Sequence, residues 1–312
     1  MVKRNSRNLL YYVSFGKRNK NIFLTAASIL SSMKFNDNSY DILLYCDKYI
    51  LREFEKSFPE ILNGIYVWRT FCNYTSRMDE SCWARYEIFN WIDINKYDNI
   101  LYLDTDTIVS GNLSTVFLII EKSLTPIVAL SEKSEQGEPY HGQQIYNFYG
   151  KRFENSSSFS TGVLGFRNCS TVENIFSNAQ KFSRKFIQKF ERKPNEVLIP
   201  FTRSDQPSLN FLLNQKESMV NTKCLEDIVI NNPKKEKFLI SHFPGGVGRA
   251  DKPFKIFRFL TREDNEFIFS DIIQKLKNVF NQDVYLKDNE NIFLNFLEKL
   301  RRLINKWKRT FH

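Results

Sequence analysis

Two carboxylates one residue apart, Asp104 and Asp106, stand where an apolar run stops, in the stretch Asn99-Ile100-Leu101-Tyr102-Leu103-Asp104-Thr105-Asp106-Thr107. The run reads as a strand, and ligands of open α/β sheets gather outside the carboxyl ends of strands. Once the chain turns, both carboxylates can face one point, where their repulsion is costly unless a cation sits there. Oxygen ligands of this kind suit Mg²⁺ or Mn²⁺, which keep coordination positions open for phosphate oxygens. Asp is also a common turn residue at strand ends, so the tripeptide alone does not select a chemistry.

The elements that must position these acids follow from periodicity. Residues 9–13 read as a buried first strand ended by Ser14-Phe15-Gly16, and Ile22, Phe23, Ala26, Ile29, Leu30 and Met33 recur at helical spacing. A second strand over 41–45, a helix over 49–58, a third strand over 64–68 and a helix over 81–91 precede the acid pair. Strands alternating with helices predict an α/β fold with a mixed, mostly parallel sheet flanked by helices. Downstream the rhythm loosens. Residues 127–130 read as a strand, 131–158 as a polar loop-like stretch, and 159–166 as strand again. Ser170-Thr171-Val172-Glu173 is a capping box opening a helix towards Phe190. A last strand over 238–241 leads into a loop over 242–253, and beyond about Phe257 the chain is helix-like and basic.

Composition narrows the classes. Hydrophobic residues make up 42% of the 312 and aromatics 15%, which supports a substantial core and excludes global disorder. The net charge of +10 favours a polyanionic partner: nucleic acid, anionic membrane or a phosphorylated substrate. No aromatic-plus-basic RNA motif and no Cys/His finger accompanies the charge, so nucleic acid is not expected. The five cysteines (Cys46, Cys72, Cys82, Cys169, Cys224) form no C-x-x-C pair, which fits free thiols in a reducing, cytoplasmic setting. The first 13 residues lack an apolar core, and no apolar run reaches ~18 residues, so neither signal peptide nor membrane span is expected.

A strand ending in D-x-D-x-T resembles the nucleophile loop of haloacid-dehalogenase-like phosphatases, in which Asp104 would attack phosphorus. In that family the motif lies near the start of the domain and an acidic pair follows. Here about a hundred residues precede it and no such pair is evident, so this reading stands second. Four motifs point elsewhere. Trp83-Ala84-Arg85-Tyr86 precedes the acid strand; Phe159-Ser160-Thr161-Gly162-Val163-Leu164, Asp205-Gln206-Pro207-Ser208-Leu209-Asn210 and His242-Phe243-Pro244-Gly245 follow it. In this order they resemble the Arg-bearing helix with its D-x-D strand, the F-N-A-G-V-L segment, the D-Q-x-x-L-N helix start and the H-F-x-G loop of glycosyltransferase family eight. That is the group of glycogenin and the bacterial lipooligosaccharide galactosyltransferases. The resemblance runs over 9–254 and implies a GT-A-type, Rossmann-like fold. It also implies a metal-dependent, retaining transferase that moves a hexose or N-acetylhexosamine from a UDP-sugar to a glycan, protein or lipid-linked acceptor.

By the resemblance, Asp104 and Asp106, flanking Thr105, would hold Mn²⁺ (or Mg²⁺) with His242 as third ligand, and the ion would bridge the donor's diphosphate. Arg85 would reach the diphosphate or the sugar with its planar fork of donors. Ser160, Thr161 and Gly162 would line the sugar pocket, glycine letting the backbone approach closely. Asp205 would bond to sugar hydroxyls, and Gln206 would stabilise positive charge at the anomeric carbon. Lys252, or else Arg249, would neutralise the leaving diphosphate. Gly245, Gly246 and Gly248 would make a pliable lid. Three departures accompany the match. Ser14-Phe15-Gly16-Lys17 stands where the family often has a base-reading Asp, which leaves Ser14 beside the nucleotide and uridine carried by resemblance alone. Ser160-Thr161 replaces Asn-Ala, and the lysine lies in a longer loop.

The expected organisation is a catalytic domain over 1–255 and a basic helical extension over 256–312. In the extension Ile292, Phe293, Phe296, Leu297, Leu300, Leu303, Ile304 and Trp307 form an apolar stripe, with Lys299, Arg301, Arg302, Lys306, Lys308 and Arg309 on the other face. A basic amphipathic helix of this kind can lie on an anionic membrane, making a peripheral contact that suits a lipid-linked acceptor. It can equally pack on protein.

Overall fold

Strands covered by helices on both faces are apolar along their whole length rather than alternately. The computed structural model shows this in β1 (Asn8–Ser14), β2 (Asp41–Cys46) and β4 (Asn99–Leu103), where nearly every residue is buried. It describes residues 7–16, 19–70, 82–132, 142–151, 158–191, 204–214, 219–233, 238–244 and 252–279. With β3 (Tyr66–Arg69), β6 (Ile127–Ser131), β7 (Phe159–Arg167) and β8 (Val220–Asn221), they form a seven-stranded sheet in the order β3-β2-β1-β4-β7-β6-β8. The first four positions are mutually parallel, β7 runs antiparallel to both β4 and β6, and β8 is parallel to β6. The fold is therefore mixed α/β with a mostly parallel central sheet.

A smaller sheet joins β5 (Thr107–Val109), β10 (Ile240–His242) and β9 (Val229–Asn231). It begins one residue after the acid pair. Helix α1 (Asn19–Lys34) buries Ile22, Phe23, Ala26 and Ile29, and its Ser31 hydroxyl accepts the Val109 amide at 3.1 Å. Helix α2 (Lys48–Ser57) starts on Asp47, whose side chain accepts the Ile50 amide, and α3 (Pro59–Leu62) has proline in its first turn. Helices α4 (Ser114–Lys122), α5 (Gln143–Phe148), α6 (Ser170–Phe190) and α7 (Asp205–Leu213) complete the layers.

Several local expectations shift by a few residues or change type. The helix expected over 81–91 is a 3-10 helix over Cys82–Asn90. Side chains three apart eclipse in that geometry, so Trp83, Tyr86 and Phe89 share one side. Tyr86 and Phe89 meet Phe176 at ring separations of 4.5 and 5.9 Å. The stretch 131–158 is not wholly loop: α5 buries Ile145 and Tyr146 against Phe186, Phe190 and Phe211. The capping box does not form, because Cys169 occupies the cap without a side-chain hydrogen bond and Ser170 is already helical.

The contacts divide the chain into two units, Met1–Ile256 and Phe257–His312. Helix α8 (Lys252–Leu260) spans the division, and the described part of the second unit continues with α9 (Glu263–Val279). The apolar stripe over 292–307 lies outside the described residues. Among the described residues, no helix is long and apolar enough to cross a membrane.

Candidate active site

β4 ends at Leu103, and the chain turns at Asp104, whose amide donates to Gly162 O on β7 at 2.8 Å. The Thr107 hydroxyl closes the turn by donating to Asp104 O at 2.8 Å. Asp104 Oδ1 is taken by the Tyr102 hydroxyl and by Arg85 Nη2 at 3.2 Å. Its Oδ2 is turned towards His242, 4.0 Å from Nε2. The small sheet delivers that histidine. His242 lies opposite Thr107 in the β5–β10 pair, and the Phe243 amide donates to Asp106 O at 2.9 Å. His242 Nε2 therefore sits 3.4 Å from Asp106 Oδ1.

The imidazole is oriented from behind. Nδ1 lies 2.8 Å from Asn231 Oδ1 on β9, its register partner. An amide oxygen only accepts, so Nδ1 carries a proton, and the ring in its neutral form would turn the Nε2 lone pair towards the carboxylates. Asp106 is buried; its Oδ2 accepts from the Lys252 ammonium, while Oδ1 has no hydrogen-bond partner among the described residues. Burial pushes its carboxyl up, but the Lys252 ammonium against Oδ2 opposes that, and the carboxyl stands well below the usual carboxylate range.

These features fit a divalent cation. One ligand atom from each of Asp104, Asp106 and His242 can lie within 4.8 Å of the other two. One of the carboxylate oxygens is buried and unsatisfied. Gly162 keeps the space open: a Cβ there would stand 2.5 Å from His242 Cε1 and 2.6 Å from Nε2. Two carboxylates and an imidazole are a donor set that Mn²⁺ accepts readily.

Beside this cluster, Arg85 is buried and each of its nitrogens meets a protein partner. Nε donates to Cys82 O at 3.0 Å and lies 3.4 Å from Asp205 Oδ2, Nη1 donates to Thr161 O at 2.6 Å, and Nη2 faces Asp104. The guanidinium also lies over the Tyr102 ring, 4.5 Å from its centroid. Burial alone would favour losing the proton, but Asp104 and Asp205 override it and raise the pKa well above the ordinary arginine value. Arg85 thus ties Asp104 to Asp205, which also accepts the Tyr86 hydroxyl at 2.7 Å.

A break in the β6–β7 pairing shapes the third wall. Ala129 pairs with Leu164, but the next residue, Leu130, pairs with Ser160. Thr161, Gly162 and Val163 are skipped, which directs the Thr161 and Gly162 carbonyls to Arg85 and Asp104. Asp205 and Gln206 open α7, and Asn210 clamps that helix to β7. Its amide accepts the Phe159 N–H at 3.0 Å and donates to Phe159 O at 2.9 Å. Gln206 Oε1 accepts the Thr161 amide at 3.3 Å, and its Nε2 donates to Glu132 at 3.0 Å.

The structure thus gathers Arg85, Asp104, Asp106, Ser160, Thr161, Gly162, Asp205, Gln206, His242 and Lys252 around one locus, with Thr105 in the turn. Ser14 is buried at the end of β1, where its hydroxyl meets Thr25 Oγ1 at 2.8 Å. Gly245, Gly246, Gly248 and Arg249 lie outside the described residues. Asn231, Glu132, Tyr86 and Tyr102 escaped the sequence reading of the site. The two tyrosines fall inside quoted motifs, whereas nothing local marks Asn231 or Glu132.

The sequence matches the family described as Glycosyl transferase family 8 over residues 20–243. No curated protein matches it. Among solved structures, the chain is similar to WbbM, described as a bifunctional glycosyltransferase, at 13% identity and a TM-score of 0.53. That match covers 86% of this chain and 52% of the other, so the chain spans about half the length of WbbM. It is also similar to the galactosyltransferase LgtC, solved with donor and acceptor sugar analogs, at 14% identity and a TM-score of 0.53, covering 83% of this chain and 99% of LgtC. At these identities the likeness speaks for the fold, the GT-A glycosyltransferase architecture.

Proposed function

Because the chain belongs to glycosyl transferase family 8 and so is a glycosyltransferase, we propose that it moves a hexose or N-acetylhexosamine from a UDP-sugar to a glycan, protein or lipid-linked acceptor. Asp104, Asp106 and His242 are the residues that would hold Mn²⁺, with Mg²⁺ the less apt ion for a site with an imidazole. Bound there, the ion supplies positive charge for the donor's diphosphate and offsets the charge gained by the leaving group.

The remaining work falls to the chain's own groups. Lys252, already beside Asp106, adds a second positive charge next to the leaving diphosphate. Arg85 holds Asp104 and Asp205 in fixed orientation, so both present their open side without rearrangement at the moment of reaction. Asp205 accepts from sugar hydroxyls. Gln206 offers its carbonyl oxygen to the anomeric carbon as positive charge builds there. In this reading the acceptor attacks the face that the diphosphate leaves, and the configuration is retained.

One observation carries the reading: a buried Asp106 oxygen with no hydrogen-bond partner among the described residues lies 3.4 Å from His242 Nε2, beside a space against His242 and Asp104 that a Cβ at 162 would fill. No observation favours the phosphatase alternative; Asp104 Oδ1 is engaged by Arg85 and Tyr102, and the family is one of transferases. The test is a panel of nucleotide sugars incubated with Mn²⁺ and no acceptor, read as slow nucleotide release. Release from UDP-sugars that stops on chelation is expected; no release from any nucleotide sugar overturns the donor reading.

A further inference from the structure

Glu132 is a charged side chain that the sequence motifs leave out, yet its place is fixed from both neighbouring strands. Its amide donates to Ser158 O, just before β7, at 2.8 Å, and the preceding Ser131 amide donates to Thr222 O, just after β8, at 3.0 Å. It follows the end of β6, beyond the break that lets Thr161 and Gly162 out of the ladder. From there Glu132 Oε2 accepts Gln206 Nε2 at 3.0 Å.

The chemistry of two groups bonded to Gln206 decides which way its amide points. An ionised carboxylate only accepts, and a backbone N–H only donates. With Glu132 on one side and the Thr161 amide on the other, the NH₂ group must face Glu132 and the carbonyl must face Thr161. The Thr161 hydroxyl, 3.5 Å from Oε1, adds a second donor on the same side. A glutamine turned over would set two donors together at Thr161 and two acceptors together at Glu132. Neutral amides lack this bias when their surroundings can both give and accept.

We propose that Glu132 is a positioning residue for the transfer reaction, fixing Gln206 so that its carbonyl oxygen, and not its NH₂, stands at the Thr161 edge of the sugar pocket. The proposal rests on the transferase reading above, in which that oxygen faces the anomeric carbon. Glu132 acts through Gln206 and needs no contact with donor or acceptor. An NH₂ group in the carbonyl's place would bring partial positive charge towards a carbon that is itself becoming positive.

The test uses the full chain, Mn²⁺ and the UDP-sugar that the wild type hydrolyses, with no acceptor, so an acceptor contact cannot contribute. Glu132→Gln keeps the shape but can donate or accept, which frees Gln206 to turn over. Its kcat is expected to fall about a hundredfold, the scale of a misplaced reacting group, with donor KM changed by less than about twofold. Glu132→Asp, which keeps an acceptor-only group, is expected to recover to within about tenfold of wild type and serves if Glu132→Gln folds poorly by circular dichroism. On a Gln206→Ala background the Glu132→Gln change is expected to add less than about twofold, since its effect passes through the missing amide. A Glu132→Gln enzyme as fast as wild type, or an equal further loss on Gln206→Ala, overturns the positioning role and leaves the transferase reading standing. A wild type that hydrolyses no UDP-sugar overturns the donor reading, and the positioning role falls with it.

Discussion

The ends of β1 and β4 lie side by side in the central sheet, and the fold treats their polar groups in opposite ways. At the end of β1 the named groups are closed on one another. Ser14 meets Thr25, the Phe15 carbonyl accepts from Asn21 at 2.8 Å, and the Gly16 amide donates to Asp47 Oδ2 at 2.7 Å. Asp47 spends its other oxygen on the Ile50 amide at 2.9 Å, capping α2. At the end of β4 a carboxylate oxygen is buried with no hydrogen-bond partner among the described residues, and His242 Nε2 faces it at 3.4 Å. An unsatisfied buried oxygen costs about 1–3 kcal/mol, so folding alone does not select that arrangement. Between these two strand ends, the closed groups read as scaffold and the carboxylate oxygen held open reads as the place where a cation would bind.

The sharpest way to break the contrast is to remove the open oxygen. Asp106→Ala is expected to lower metal-dependent UDP release by about a thousandfold, the upper end of what a single electrostatic stabiliser contributes. Release at a tenth of the wild-type rate would mean that the open carboxylate is not a ligand. Next in size, Gly162→Ala drives a methyl into His242, 2.5 Å from Cε1, and the ring must leave its place. Mn²⁺ binding, followed by electron paramagnetic resonance, is expected to weaken about a hundredfold, comparable with the loss of well-placed ligand support. Gly16→Ala is the matched change on the closed side. There φ is +101°, so the penalty is backbone strain of about 1 kcal/mol or more in stability, with Mn²⁺ affinity unchanged.

How much of this was legible in the sequence depends on how many residues carry each signal. The apolar run from Asn99 to two acids announces itself, because five buried residues followed by paired carboxylates are rare without a reason. The parallel half of the sheet follows from the spacing of strands and helices before Asp104. Of the small sheet only β10 showed, as the strand expected over 238–241, since the three-residue strands β5 and β9 are too short to display a period. Its consequence, His242 set against Asp106, reached the sequence reading only through resemblance. The same shortness hid Asn231, whose partner is 11 positions away and belongs to another strand. Glu132 was hidden by the pairing break after Ala129, a feature of two strands jointly that neither carries alone. The partner of Ser14 was likewise hidden: nothing local in the sequence says that the helix covering this strand end supplies Thr25 to its hydroxyl.

Asn231 offers a subtler probe of the open side. Asn231→Ala removes the acceptor that fixes the His242 tautomer while leaving all three candidate ligands in place. Mn²⁺ affinity is expected to fall about tenfold, the lower end for a group supporting a ligand. Asn231→Asp keeps an acceptor at Nδ1 and is expected to restore most of it. No change in Asn231→Ala would show that His242 is held by β10 alone.

The smallest effect tests how tightly the closed side is shut. Cys46 ends β2 beside Asp47, and its thiol is pushed up to about 12, chiefly by burial, with Asp47 adding to the shift and Arg69 opposing it. In an unfolded chain the thiol ionises near ~8.5. Below that pH both states keep the proton and the group has no influence on the folding equilibrium. Above it the unfolded chain loses a proton that the folded chain keeps, so stability falls as pH rises towards 12. The stability difference between wild type and Cys46→Ala is therefore expected to be constant up to about pH 8 and to shrink by somewhat less than 1 kcal/mol at about pH 9. Denaturant melts at the two pH values measure it. A difference that does not move, together with alkylation of native Cys46 by iodoacetamide at neutral pH, would mean that the end of β2 opens to solvent. The β1 side would then be a second open region, and the contrast with β4 would rest on the metal cluster alone.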